Sequence, residues 1–285
     1  MVKKKDKETF AVFGFYDPHP ANCIASWLCP GATAAGYPVY TKTRGAERGC
    51  KNLAVYWGGC NFTCGFCQDW IHEIMREIGL PRFYKDEILD WVDKDTTCIC
   101  FCGGTPDIAM KKVVKLAEAF REKYPGRLLR ICAETNLTAY LPDLIDFTGI
   151  VKTSGGGLNI GLKAGSDKVH YTLTGHSNKK IRENFTALYE RFGVGEPVPL
   201  LRPSLLLVPG YIDRKEIEIV CKRLASIDRN IPLKLISFLP RRHFSHAEAT
   251  DPRFLAEAVK IAGECGIKRV SPTISEIKKQ KRLVR

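Results

Sequence analysis

From about Leu53 onward, short β-rich runs alternate with amphipathic stretches of helical period. That alternation constrains the fold most, because strands joined through helices are expected to lie parallel in one sheet. Strands are expected over residues 53–57, 97–102, 128–132, 158–163, 205–208 and 233–238. Apolar residues recurring at i, i+3 and i+4 predict helices over 85–92, 108–123, 181–192, 214–226 and 252–265, with a further helix over 137–147. Six βα units are too few for a closed eight-stranded barrel. The expected fold class is therefore α/β, a partial (βα)6 open barrel with its site at the C-terminal ends of the strands. Residues 1–50, rich in Pro, Gly and aromatics, fall outside the repeat and are read as an N-terminal extension packed on the barrel. Residues 51–275 form the barrel and 276–285 a basic C-terminal tail, both chain ends being expected to be disordered.

Twelve cysteines in 285 residues would suggest disulfides in a short secreted chain. Here the first residues are a lysine cluster with no apolar signal segment behind it, and no run of about 18 uncharged apolar residues follows. A cytoplasmic protein with reduced thiols, some of them metal ligands, and with no membrane association is expected. Roughly half of the +13 net charge sits in the two ends. The basic balance could attract nucleic acid or an acidic protein, but no RNA- or DNA-binding module is recognisable, and a solvated basic face is the simpler reading.

Directly after the first strand comes Gly58-Gly59-Cys60-Asn61-Phe62-Thr63-Cys64-Gly65-Phe66-Cys67-Gln68, a C-x3-C-x2-C pattern on a loop at the barrel mouth. Thiolates are soft ligands for iron-sulfur clusters or zinc. Cys60, Cys64 and Cys67 would hold three irons of a 4Fe-4S cluster and leave the fourth free for a small molecule. Structural zinc is the rival, but it needs a fourth protein ligand; no second C-x-x-C or H-x3-H lies downstream, and only His72 is near.

At these residues the chain resembles the radical S-adenosylmethionine (SAM) superfamily, whose signature carries an aromatic before the last cysteine, here Phe66. The resemblance implies a fold of the radical SAM type, a 4Fe-4S cluster and SAM. It also implies reductive cleavage of SAM to methionine and a hydrogen-abstracting 5′-deoxyadenosyl radical. Gly103-Gly104-Thr105-Pro106 looks like the family's G-G-E-P segment, which binds the methionine amino group; Thr105 stands where the acid is expected, so a hydroxyl or backbone carbonyls would receive the ammonium.

Residues from about 53 to 244 are similar, in the order of their motifs, to the pyruvate formate-lyase activating enzyme group. The resemblance matches Glu134-Thr135, followed by Asn136, to an Asp-Thr pair that helps hold a monovalent cation. It matches Lys163 to the lysine of an Asp-Leu-Lys segment, with Gly161 in place of Asp, and Arg202 to a cofactor-binding arginine. It matches His243 to the histidine of a Leu-Pro-Tyr-His segment, shifted by one residue. Each has a plainer reading: Lys163 and Arg202 as ion-paired or surface residues, Glu134 as a helix-terminal acid, His243 as a surface residue. The resemblance implies hydrogen abstraction from a glycine of a glycyl-radical enzyme-like partner, with an electron donor such as flavodoxin or ferredoxin. A radical SAM enzyme acting on a small molecule or another protein side chain is the alternative. A non-catalytic metal module binding nucleic acid through its basic ends is the third reading.

Cys98, Cys100 and Cys102 alternate along one strand and share a face, as small apolar filling or as thiols near the radical site. Cys23, Cys29 and Cys50 in the extension could, with one more ligand, hold an auxiliary cluster or zinc.

Overall fold

The computed structural model describes residues 8–18, 23–67, 71–79, 81–273 and 282–283. Its strands are β1 (Thr9–Pro18), β2 (Lys51–Trp57), β3 (Arg82–Tyr84), β4 (Thr96–Gly103), β5 (Arg130–Thr135), β6 (Leu158–Leu162), β7 (Leu201–Leu207), β8 (Leu233–Ser237), β9 (Val270–Thr273) and β10 (Arg282–Leu283). They form one sheet in the order β10-β1-β2-β4-β5-β6-β7-β8-β9, with β3 paired to β1. Every pairing from β2 to β9 is parallel, and β1 runs antiparallel to β2. The sheet does not close, so the fold is an open α/β partial barrel.

All six expected strands are present, and the sheet extends beyond them at both sides. β9 adds a seventh parallel strand, which Pro272 masks in sequence. The extension is more than a cover, because β1 pairs with β2 from Val12 to Pro18. In the C-terminal tail, expected to be disordered, Arg282 and Leu283 pair with Tyr16 and Phe15; the rest of both ends lies outside the described residues. β7 begins at Leu201 rather than at 205. Pro203 sits inside it, between β6 and β8, although proline cannot donate to a ladder. β5 ends at Thr135 rather than 132, so Glu134 and Thr135 belong to the strand.

The helices cover the outer face. In Met110–Lys123, Val113, Leu116, Ala117 and Phe120 are buried, a stripe at i, i+3, i+4 and i+7. The helix expected over 137–147 instead runs Leu141–Ser154, with Pro142 in its first turn and Gly155 as left-handed C-cap. Leu137 has φ 58°, which ends β5 and cannot continue as helix. Among the described residues three α-helices had no expectation, Pro30–Thr33, Ile71–Ile78 and Asp167–Thr174.

Strand parity divides the core. Ile99, Phe101, Ile131 and Ala133 face the helices. Cys98, Cys100, Cys102 and Cys132 face inward with Phe13, Phe15, Ala54 and Tyr56. The extension is tied to this inner side by Arg130 and Glu47, both fully buried. Arg130 Nη1 and Nη2 lie 3.0 and 2.6 Å from the two Glu47 oxygens, which also accept from Thr41 and Thr97 hydroxyls. Burial pushes the Glu47 carboxyl up, but the hydrogen bonds and charge of Arg130 outweigh it and hold the group down at about 2.

Candidate functional site

The three thiols of the C-x3-C-x2-C loop line a single cavity at the strand C-terminal ends. Around them stand Phe62, Phe66, Gly103, Gly104, Glu134, Thr135, Asn136, Asn159, Gly161, Lys163, Ser204, Leu206, Ile236 and, from the extension, Ile24. It encloses about 1020 Å³ of non-atom space, counting its open mouth.

The loop is fastened on every side. Gly104 N donates to Trp57 O (3.1 Å) and Thr105 N to Gly59 O (2.8 Å), which seats the Gly103-Gly104 turn against the start of the cysteine loop. Only glycine fits at 104, since a Cβ there would lie 1.9 Å from Gly59 O; Gly103 has φ +106°. Asn61 Nδ2 donates to Thr138 Oγ1 (2.9 Å) and Thr63 N to Thr174 O (3.0 Å). Phe66 packs edge-on against Phe244, 6.0 Å between centroids, and a Cβ on Gly65 would lie 2.9 Å from Phe244 Cε2.

Cys60 Sγ receives two N–H contacts at 3.4 Å, from Phe62 N and Asn136 Nδ2. Such donors stabilise negative charge on a ligating sulfur. Burial pushes the Cys64 thiol up to about 11, against the pull of the Lys163 ammonium. Binding a metal there would displace a proton. Among the described residues, no three His, Cys, Asp or Glu side chains converge on a point that one metal ion could occupy.

The residues present fit the cluster and cofactor that the sequence pattern implies. They offer three thiols on one wall and a glycine turn where a side chain has no room. Apart from these, Asn159, 6% exposed, lines the cavity with Oδ1 and Nδ2 both lacking a partner.

Of the residues singled out by sequence, Cys60, Cys64, Cys67, Phe66, Gly103, Gly104, Glu134, Asn136 and Lys163 meet at this cavity. Thr105, Arg202 and His243 do not line it. The Thr105 hydroxyl donates to Asp107 Oδ2 at 2.5 Å. The Arg202 guanidinium donates to Pro199 O (2.7 Å) and Gly156 O (3.1 Å), low in β7. His243 is exposed beside the cysteine loop.

Sequence reasoning missed Asp107, Asn159 and Phe244. Asp107, 8% exposed, accepts from the Thr105 and Thr135 hydroxyls and from the backbone N–H of Asn136, Thr138 and Ala139. It thereby joins the glycine turn after β4 to the segment after β5. Its one visible signal was its place just behind Gly-Gly-Thr-Pro.

On the inner face, Cys98 and Cys132 have their sulfurs 3.8 Å apart. Burial, with Cys29 and Cys132 as neighbours, pushes the Cys23 thiol up to about 12.

The sequence model of the family described as "Radical SAM superfamily" matches residues 55–211, more than half of the chain. No curated protein matches it by sequence. Among solved structures, a radical SAM methyltransferase from Sphaerobacter thermophilus is similar at TM-score 0.56 and 14% identity, over 79% of this chain and 67% of that one. Native anSMEcpe with bound AdoMet is similar at TM-score 0.53 and 16% identity, over 75% and 61%. A domain of pyruvate-formate lyase-activating enzyme from Bacteroides vulgatus ATCC 8482 gives TM-score 0.49 and 20% identity, over 62% and 98%.

Proposed function

The chain belongs to the radical SAM superfamily, and on that premise we propose that it is an activating enzyme that abstracts a hydrogen from a glycine of a partner protein. When bound, a 4Fe-4S cluster and SAM supply one-electron reduction of the sulfonium and, with it, hydrogen-atom abstraction. Cys60, Cys64 and Cys67 hold the cluster by three irons, leaving the fourth to the cofactor. The gathering of these three thiols on one cavity wall with Gly103, Gly104, Asn136 and Lys163 carries the reading.

Carbonyls of the Gly103-Gly104 turn receive the cofactor's ammonium in place of the absent acid, and Lys163 pairs with its carboxylate. Glu134 supplies a negative wall on the inner side. Phe66 and Phe244 shield the cysteine loop from water. Thr105 and Arg202, whose polar groups are engaged elsewhere, act by positioning; His243 lies at the rim. Residues 51–275 carry the chemistry, 1–50 close its inner side and 276–285 form a basic tail. The net charge of +13 suits docking of an acidic loop and of an acidic electron donor such as flavodoxin or ferredoxin, in the cytoplasm. Among the described residues no helix is long and apolar enough to cross a membrane.

The test is anaerobic reconstitution with iron and sulfide, then dithionite and SAM. The reading expects methionine and 5′-deoxyadenosine from the native chain and neither from the Cys60→Ala/Cys64→Ala/Cys67→Ala variant. Lack of product from the reconstituted native chain overturns it. Deuterium passing from a labelled glycine peptide into 5′-deoxyadenosine supports the glycine assignment, and its absence favours a different substrate.

A further inference from the structure

Asn159 is the most conspicuous unexplained group in the molecule. It projects from β6 into the cavity that holds the three thiols, is 6% exposed, and neither its amide oxygen nor its amide nitrogen has a partner. A buried carboxamide with both ends unpaired is costly, and its persistence needs a reason. Its strand neighbours offer none. Across β5 its register partner is Glu134, and across β7 it is Arg202, whose guanidinium is committed to Pro199 O and Gly156 O.

Register places Asn159 below the mouth. Trp57, beside the cysteine loop, pairs with Gly103. Phe101, two residues earlier on β4, pairs with Ala133, and the next residue, Glu134, pairs with Asn159. Asn159 thus lies a layer deeper than the Gly103-Gly104 turn. It is also four residues before Lys163, about 13 Å along an extended strand. Between them Gly161 carries no side chain, and the Lys163 ammonium folds back over it, 2.6 Å from where a Cβ would stand. The Gly103-Gly104 turn is therefore at the mouth, with Asn159 beneath it in the lining of the same cavity.

We propose that Asn159 is the substrate-recognising residue, its carboxamide gripping the N–H and C=O on either side of one Cα of an extended peptide. A carboxamide offers one acceptor and two donors in a plane. A residue in extended conformation presents its own N–H and C=O along one edge, so the pair is matched in both number and spacing. Glu134, acceptor only, takes a further N–H of the same chain. This rests on the reading of the site as a peptide-modifying radical centre and names the contact that selects an amide backbone.

The probe is acetyl-Gly-Gly-Gly-N-methylamide, deuterated at the central Cα, with an ester analogue in which oxygen replaces the central N–H. Reconstituted protein with SAM bound is titrated by calorimetry. Asn159→Leu, close in shape but unable to hydrogen-bond, is expected to weaken probe binding by about tenfold to a hundredfold, with the SAM dissociation constant unchanged. Asn159→Gln is expected to restore part of the loss. The ester is expected to bind the native chain more weakly than the amide does and to lose nothing further in Asn159→Leu. Deuterium should reach 5′-deoxyadenosine in the native chain and fall in step with binding.

Equal binding of ester and amide by the native chain overturns the inference, and needs no variant to fold. So does a tenfold rise in the SAM dissociation constant of Asn159→Leu, which would give the amide to the cofactor. If the native chain makes 5′-deoxyadenosine but does not bind the probe, the inference falls and the proposed activity stands. If it makes none, the activity fails, and the binding comparison still decides the role of Asn159.

Discussion

Replacing Asp107 by Asn exchanges one carboxylate oxygen for an NH₂ group and removes a charge, yet it should loosen the candidate site from beneath. Oδ1 accepts the backbone N–H of Thr138 (2.5 Å) and Ala139 (3.0 Å), and Oδ2 accepts the Thr105 and Thr135 hydroxyls and Asn136 N (3.1 Å). If the amide NH₂ takes the Oδ1 side, two buried N–H donors face a donor. If it takes the Oδ2 side, the two hydroxyls must turn from donating to accepting and Asn136 N keeps only its longer contact to Thr105 Oγ1 (3.4 Å). Each stranded buried donor costs about 1–3 kcal/mol, and the bonds that survive lose their charge assistance. A net loss of about 2–4 kcal/mol is expected, which for a chain of this size lowers Tm by about 3–7 °C. Calorimetric melting and urea unfolding of the reconstituted protein measure it, and iron content reports whether the cysteine loop still holds. A loss under about 0.5 kcal/mol would refute Asp107 as the clasp between the segments after β4 and β5.

Glu47→Gln leaves Arg130 buried without its anion and should cost about 3–5 kcal/mol by denaturant unfolding. Because the folded carboxyl sits at about 2 against an ordinary 4.5, it contributes about 3 kcal/mol that is present above pH 4.5 and lost as pH falls toward about 2; a Glu47→Gln melting curve with native acid sensitivity would contradict this. Gly104→Ala should abolish iron incorporation by forcing the glycine turn off Gly59, whereas Gly149→Ala, with open space around it, should keep full iron content. Asn136→Leu removes an N–H from Cys60 Sγ and should make the cluster's midpoint potential more negative in a redox titration; an unchanged potential would show that the contact is idle.

What could be read in the sequence was chemistry carried on contiguous residues and structure carried by period. Cys60, Cys64 and Cys67 stand in one loop after one strand, so their meeting required no knowledge of distant segments. That Cys98, Cys100 and Cys102 share one face followed from strand alternation alone. What escaped depended on pairing across the sheet. Asn159 acquires its meaning because β6 lies between Glu134 and Arg202. Phe244 matters because a short turn near 242–244 brings it onto Gly65, some 180 residues earlier. The true start of β7 was hidden by Pro203, and the helix Leu141–Ser154 passes through Thr148-Gly149, where the Thr148 hydroxyl bonds Leu144 O. Arg202 illustrates a matched motif residue whose donors are spent low in its strand.

The most direct test of the central claim is electron paramagnetic resonance of the anaerobically reconstituted, dithionite-reduced chain, before and after SAM is added. Three protein thiolates and one iron free to take the cofactor predict the spectrum of a reduced 4Fe-4S cluster whose g-values shift on addition of SAM. No cluster spectrum, or one that SAM leaves unchanged, would contradict it.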